Sequence, residues 1–327
     1  MASRMNEVVS RQGMVVLLDV VREQAIVFVL IGIAVLISVL APSFLSSVNI
    51  LNLLRQISIT GVVACGLTFV ILSGEIDLSV GSVSALAGVT AAYLQVNQGF
   101  DTLPAASIAL VLSLVVGLCI GFIVTRARVH SFIVTLGFLS IARGFALIIS
   151  QGYPISGLNS SFRFLGAGRI GFMPLPVVIF FLIAGFVYFV LRNTAFGKHV
   201  YAIGGNEEAA RLSGVNVEFC KVVVFGISGL LAGLSGLILA GRVNSGQPVA
   251  SEGLELDAIA AVVIGGTSLS GGVGGVGGTI VGALLLGVIR NGLNLIGVSP
   301  FWQKVVMGFL IVIAVIVDKF RGSRVEK

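Results

Sequence analysis

The sequence predicts an all-α, polytopic transmembrane helix bundle of about ten spans. Hydrophobic residues make up 57% of the 327 residues, whereas charged residues make up only 10%. Soluble domains carry about 25% charged residues, and a helix that crosses a bilayer needs about 20 apolar residues. Glycine is abundant, at 43 residues, and it is more frequent in membrane helices than in soluble ones. The composition therefore excludes an ordinary soluble protein.

The chain divides into a polar N-terminal segment (1–24), a membrane domain (25–318) and a basic C-terminal tail (319–327). The first apolar run lacks a small-residue cleavage pattern, so we interpret it as an uncleaved span and not as a signal peptide. Polar or glycine-containing joints separate the predicted spans. The ten spans cover residues 25–41, 55–73, 79–96, 104–125, 131–150, 174–191, 221–240, 253–269, 276–296 and 303–318.

The positive charges between the spans predict the orientation. Lysine and arginine are enriched in the joints on one side of the membrane, and the positive-inside rule assigns that side to the cytoplasm. Because ten spans are an even number, both termini are predicted to be cytoplasmic. The charges on this side are Arg126, Arg128, Arg192, Lys198, Arg211, Lys221 and those of the tail.

An acidic turn lies between the second and third predicted spans, in the stretch "LSGEIDLSVGS" (72–82). Placing a carboxylate in lipid costs about 2.5–3.5 kcal/mol on the insertion scale. Irregular backbone at membrane depth must face protein or a water-filled cavity. Glu75 and Asp77 are therefore predicted to face inward. Asp77 and Ser79 can cap the following helix. Two interpretations stay open: a structural cap and turn, or the lining of a transport route, with a proton relay as its sharpest form.

The stretch 201–217 predicts a short capped helix in the largest cytoplasmic loop (192–220). Asn206 is a good N-cap, Glu207 lies in the first turn and four positions before Arg211, and Gly214 suits the left-handed position after a helix. The helix is either a solvated loop element or a docking surface. The docking candidates are Gly205, Asn206, Glu207, Glu208, Ala209, Ala210, Arg211 and Gly214.

Polar residues also occur inside two predicted spans. Arg143 lies near the middle of the fifth span, and Arg290 lies in the ninth beside Asn291 and Asn294. An intramembrane cation is a functional candidate. Hydrogen bonds to backbone carbonyls and contact with a substrate are equally compatible with these positions. The candidates for a translocation path are thus Glu75, Asp77, Ser79, Arg143, Arg290, Asn291 and Asn294.

Several function classes are excluded by missing patterns. The glycines Gly272, Gly274 and Gly277 match G-x-G-x-x-G, but without the strand and acidic residue of a dinucleotide site. No P-loop, catalytic triad or metal-ligand grouping occurs. The net charge of +6 is spread over the joints and forms no nucleic-acid-binding patch. We therefore expect no enzyme activity, no metal and no nucleic-acid partner.

Taken together, four segments make the chain resemble a known family. It resembles the permease subunits of bacterial ABC importers for monosaccharides, the ribose type, within the larger group that includes branched-chain amino-acid permeases. The likeness covers residues 25–318. The four segments are "GEIDLSVGS", "FGKHVYAIGGNEEAARLSGVNV", "SGQPVASEGLELDAIAAVVIGGTSLSGGVGG" and "NGLNLIGVSPFWQKVVMG".

This resemblance implies a multi-pass protein of the bacterial inner membrane that translocates a monosaccharide. It implies three kinds of partner: an ABC ATPase subunit, an extracytoplasmic sugar-binding protein and a second permease, either a copy or a paired chain. The stretch "GNEEAARLSG" looks like the coupling helix that docks on the ATPase. The permease would carry no cofactor, because the ATPase binds the ATP. Pentose, hexose, polyol and signalling sugar all stay open as substrates.

Two alternatives from other classes are compatible with the residues. One is a secondary transporter coupled to protons through Glu75, Asp77 and Arg143. The other is a structural membrane subunit with no transport path of its own.

Overall fold

The computed structural model describes residues 26–325, and most of that part of the chain is helical. The predicted N-terminal segment 1–24 lies outside the described residues. A short 3₁₀ turn, Pro42–Leu45, follows the first helix. The helices are α1 (Ile26–Leu40), α2 (Ser47–Leu72), α3 (Val80–Val96), α4 (Thr102–Ala127), α5 (Ser131–Ser150), α6 (Ser160–Ala167), α7 (Leu175–Asn193), α8 (Ala195–Gly205), α9 (Glu207–Leu212), α10 (Val217–Val243), α11 (Leu254–Ile264), α12 (Val276–Leu295) and α13 (Pro300–Val325).

Each predicted span overlaps one of these helices, and the predicted all-α class is confirmed. Six helices are long and apolar enough to cross a membrane: α2, α4, α5, α7, α10 and α12. Helices α1 and α3 and the apolar part of α13 (Pro300–Ile316) are shorter.

The predicted span 253–269 is wrong in its length. Its helix, α11, has 11 residues and is about 16 Å long, roughly half the thickness of the hydrocarbon core. The helix ends at Ile264 because two glycines follow, and Gly266 takes a positive φ of 92° that does not continue a helix. Helix α11 is therefore too short to cross a bilayer by itself.

Helices α2, α3 and α10 form the centre of the bundle, and α10 packs against α2, α3 and α4. Glycine permits these close crossings. A Cβ atom on Gly236 of α10 would lie 1.9 Å from the carbonyl oxygen of Ser84 in α3. A Cβ atom on Gly117 of α4 would lie 2.3 Å from the carbonyl oxygen of Phe225 in α10. In lipid such close backbone packing replaces the hydrophobic effect as a source of helix association.

The outer helices expose large apolar side chains, as a lipid-facing surface does. Phe122 of α4, Phe145 of α5 and Phe186 of α7 are each more than half exposed. A soluble monomer rarely carries apolar patches of this extent. Together with the six long apolar helices, this surface indicates a membrane protein.

The helix connections gather at two ends of the bundle. The connections α2–α3, α4–α5, α7 to α10 and α11–α12 share one end, which we call the Glu75 end. There the N–H of Gly272 donates to the Leu72 carbonyl at 2.9 Å, and the N–H of Ile76 donates to Ser131 Oγ at 3.1 Å. The C-terminal end of α2 is therefore in direct contact with the α11–α12 connection.

The remaining connections lie at the opposite end, where the strands of the described chain occur. Strand β1 (Ile155–Ser156) pairs antiparallel with β4 (Ser245–Gly246), and β2 (Arg169–Ile170) forms a hairpin with β3 (Met173–Pro174). Each strand has only two residues, so these pairs fasten loops and leave the all-α class unchanged.

Candidate functional site

The break between α2 and α3 is a compact turn at the Glu75 end. Helix α2 ends at Leu72, and α3 begins at Val80. Gly74 takes a positive φ of 79°, which glycine adopts without a steric penalty. The N–H of Glu75 then donates to the Val70 carbonyl at 3.0 Å and closes the turn. The break predicted from the acidic stretch is present.

Asp77 is buried within this break, with 1% of its surface exposed. Its carboxylate accepts hydrogen bonds from the Ser79 N–H at 2.9 Å, the Ser79 hydroxyl at 2.6 Å and the Ser228 hydroxyl at 2.8 Å. Ser79 lies at the start of α3, whereas Ser228 lies in α10. The side chain of Asp77 thus ties the break to α10.

Glu75 forms an ion pair that no local pattern indicated. Lys221, in the second turn of α10, places its Nζ 2.6 Å from Glu75 Oε1 and 2.7 Å from Glu207 Oε2. Lys221 is only 9% exposed. One ammonium group therefore joins the α2–α3 break to the short helix α9. We interpreted Lys221 from the sequence as a topology signal alone and missed this contact.

The loop helix α9 has the geometry that its sequence predicts. The side chain of Asn206 accepts a hydrogen bond from the Ala209 N–H at 2.9 Å, Arg211 pairs with Glu207 at 3.2 Å, and Gly214 has a φ of 86°. Arg211 also pairs with Glu218 at the start of α10. The hydrogen bond from Lys221 holds the pKa of the Glu207 carboxyl below its ordinary range.

One face of α9 is free of contacts with the described bundle. Gly205, Glu208 and Ala209 are exposed, whereas Ala210 is buried. Leu212 is 84% exposed, although it is a large apolar residue at the end of a charged helix. Sequence reasoning omitted Leu212 from the docking candidates. The sequence signal for Leu212 is a large apolar residue in a polar helical turn, with no other large apolar residue on the same face of that helix.

A polar cavity of about 320 Å³ opens beside α9 at the Glu75 end. It lies between the end of α4, helix α9 and the start of α10. Three acidic and three basic side chains line it, so it carries no strong charge of one sign. Its charged and imidazole-bearing lining residues are Glu75, Arg128, His130, Glu207, Arg211, Glu218 and Lys221.

The polar residues inside the helices lie in separate contact sets. Arg143 of α5 donates to the backbone carbonyls of Pro248 and Ala250 and so holds the irregular segment between α10 and α11. Arg290 of α12 pairs with Asp257 of α11 at 2.8 Å. The structure therefore does not bring these arginines into contact with Glu75 or Asp77.

The two asparagines of α12 differ in their surroundings. Asn291 exchanges two side-chain hydrogen bonds of 2.9 Å with Asn49 at the start of α2. Asn294 is exposed near the end of its helix. Sequence reasoning missed Asn49 and Asp257 as partners because both lie far from them in the chain. Within residues 26–325, no group of three or more His, Cys, Asp or Glu side chains could hold a metal ion.

Comparison with known proteins identifies relatives over nearly the whole chain. The family model for the permease component of branched-chain amino acid transport systems matches residues 49–315. The Bacillus subtilis ribose import permease protein RbsC is 46% identical over 291 residues, or 88% of this chain and 90% of the relative. The Escherichia coli L-arabinose transport system permease protein AraH is 41% identical over 298 residues, or 90% and 89% of the two chains.

A third relative extends the range of sugars named. The Haemophilus influenzae xylose transport system permease protein XylH is 38% identical over 355 residues, or 88% of this chain and 94% of the relative. No solved structure matches the chain.

Proposed function

Because this chain belongs to the family of branched-chain amino acid transport system permease components, we propose that it is the membrane-spanning permease subunit of an ATP-driven sugar importer. It is a transport protein and not an enzyme, and it lies in the bacterial inner membrane. The proposal rests on one observation: relatives named for ribose, xylose and L-arabinose align with at least 88% of the chain at 38–46% identity. These three sugars are aldopentoses, so a pentose is the substrate we expect.

We propose ten spans with both termini in the cytoplasm. Four shorter segments would complete the six long helices: α1, α3, α13, and α11 together with the irregular segment between α10 and α11, which Arg143 holds. The basic residues Arg126, Arg128, Arg192 and Lys198 all lie at the Glu75 end. The positive-inside rule then makes the Glu75 end cytoplasmic.

Helix α9 is the surface that we propose for the ATPase. Exposed Glu208, Ala209 and Leu212 present a small charged and apolar patch at the proposed cytoplasmic end. The Asn206 cap and the pairs of Arg211 with Glu207 and Glu218 hold the helix in one conformation. A preformed surface loses less conformational entropy on docking. The ATPase would bind the ATP, and this chain would need no cofactor.

Two further partners complete the proposed importer. An extracytoplasmic sugar-binding protein would deliver the substrate to the opposite end of the bundle. A second permease, most simply another copy of this chain, would supply the other half of the translocation path.

The proton-coupled alternative has no support. Asp77 is surrounded by three hydrogen-bond donors, and Glu75 is paired with Lys221. A proton relay needs carboxyl groups that can release and accept protons along a path, whereas these two are held by structural partners. We propose that Asp77, Ser79, Arg143, Arg290 and Asn291 brace the bundle around the translocation path rather than relay protons.

Reconstituted transport tests this function. The chain, its ATPase and its binding protein are placed in proteoliposomes, and uptake of labelled ribose, xylose and L-arabinose is measured. We expect uptake that requires internal ATP and the binding protein and that survives collapse of the proton gradient. Uptake without the ATPase that disappears with the proton gradient would contradict the proposal.

A further inference from the structure

We propose that Lys221 is a positioning residue that passes movement of the docking helix α9 to the break between α2 and α3. The inference rests on the proposed function, because it assumes that the ATPase grips α9. It assigns the coupling between docking and transport to one side chain and its two carboxylate partners, Glu75 and Glu207.

The contacts of Lys221 make it a side-chain bridge between two segments that are far apart in the sequence. Its Nζ lies 2.6 Å from Glu75 in the break and 2.7 Å from Glu207 in the first turn of α9. A lysine ammonium has three donors, and two of them are used here. The side chains of Lys221 and Glu75 are 11% and 13% exposed. Water therefore competes weakly for the Glu75–Lys221 bond, whereas the Glu207 side chain is 46% exposed. A shift of either carboxylate draws the ammonium with it.

Asp77 and Glu75 connect the break to two different parts of α10. Asp77 fastens the break to the middle of α10 through Ser228, and this contact does not involve α9. Glu75 fastens the break to the start of α10 through Lys221, and only this contact continues to α9 through Glu207. The Glu75–Lys221 pair thus lies on the route from the docking surface to the helix break.

If the Lys221 bridge only stabilised the fold, its removal would change the amount of permease in the membrane and the thermal stability of the permease. A bridge that transmits movement would also change the number of sugar molecules transported per ATP hydrolysed. The experiment therefore measures sugar uptake and ATP hydrolysis on the same proteoliposomes, together with capture of the ATPase. The variants are Glu75→Gln, Lys221→Met, the double variant and the conservative Lys221→Arg.

Asp101→Asn is the matched control. It makes the same carboxylate-to-amide change, but Asp101 is exposed at the opposite end of the bundle, and its side chain makes no cap hydrogen bond. We expect Glu75→Gln and Lys221→Met each to lower sugar transported per ATP by about tenfold, while the ATPase is still captured. The double variant should be no worse than the worse single variant, because each single variant already removes the Glu75–Lys221 pair. Lys221→Arg should keep at least half of the ratio, and Asp101→Asn should leave the ratio at the value of the parent chain.

Two outcomes would overturn the inference. One is an unchanged ratio of sugar transported to ATP hydrolysed in Glu75→Gln. This variant replaces a carboxylate with an amide of equal size, so the chain should still fold, and ATPase capture checks that it does. The other is a double variant whose loss is the product of the single losses. If the parent chain itself captures no ATPase, the proposed function fails first and the inference fails with it.

Discussion

Asp77 and Lys221 meet the same physical requirement in different ways. Charge buried in a membrane protein must be hydrogen-bonded or paired. Asp77 is surrounded by neutral donors from two serines, whereas Lys221 lies between two carboxylates. Removal of one member leaves the other buried without a partner, so substitutions here should cost more than at exposed charges.

Asp77→Asn tests this requirement. The amide keeps one of the two acceptor oxygens, so its NH2 group faces either the two donors of Ser79 or the Ser228 hydroxyl, and the remaining bonds lose their charged acceptor. We expect a loss of about 1–3 kcal/mol in the free energy of unfolding, because hydrogen bonds to a charged group are stronger than those to a neutral group. Thermal unfolding of the detergent-solubilised chain measures it.

Asp101→Asn is the control for this prediction, because Asp101 is exposed and its side chain makes no cap hydrogen bond. The control should unfold at the temperature of the parent chain. Equal unfolding temperatures for both variants would contradict the role of Asp77.

At the scale of helices, the two glycines at the end of α8 differ in the space around them. A Cβ atom on Gly204 would lie 1.8 Å from the Leu72 carbonyl oxygen and 2.5 Å from the Gly272 nitrogen. Gly205 has no atom within 4 Å of the same position. The end of α8 therefore packs directly on the end of α2 and on the connection between α11 and α12.

Gly204→Ala and Gly205→Ala form a matched pair. Alanine favours a helix over glycine by about 0.5–1 kcal/mol. Gly205→Ala should therefore leave stability unchanged or raised. Gly204→Ala must push α8 away from backbone atoms and should lower the unfolding temperature and the yield in membranes. The packing assignment would be wrong if the two variants behaved alike.

Leu212 provides a test of the docking surface of α9. Full burial of a leucine side chain contributes about 1.5–3 kcal/mol, which corresponds to roughly a tenfold to hundredfold change in affinity. We expect Leu212→Ser to weaken capture of the ATPase by at least tenfold without loss of the permease from the membrane. Affinity purification on tagged ATPase measures capture.

Phe172→Ser is the control for Leu212, because Phe172 is similarly exposed, at 79%, but lies at the opposite end of the bundle. It should not affect capture. Full capture by Leu212→Ser would remove Leu212 from the docking surface.

For the whole molecule, the orientation of the two ends decides whether the importer is assembled as proposed. A cysteine introduced at Ser213, in the α9 loop, or at Tyr153, at the opposite end, reports on it, because both positions are exposed whereas the native Cys65 and Cys220 are buried. In a Cys119→Ser background, a membrane-impermeant maleimide should label Tyr153→Cys in intact spheroplasts and Ser213→Cys only after permeabilisation. Labelling of Ser213→Cys in sealed cells would reverse the orientation and exclude α9 as a cytoplasmic docking site.

Much of the fold was predictable from the sequence because its signals are local. Long apolar runs marked the helices, and the α9 loop followed from a cap, an i,i+4 pair and a glycine within nine residues. The prediction failed in length at α11, where the apolar pattern continued past two glycines that end the helix. Hydropathy measures composition and does not resolve where the backbone leaves helical geometry.

The sequence by itself determined the membrane class, the helix positions and the shape of the docking loop, since each depends on residues within a few turns of one another. Only the tertiary structure decided the partners of the polar residues. Lys221 contacts Glu75 from 146 positions away, and Asn291 contacts Asn49 from 242 positions away. Such pairs form because buried polar groups must find partners wherever packing brings helices together, and no local pattern specifies which helices will meet.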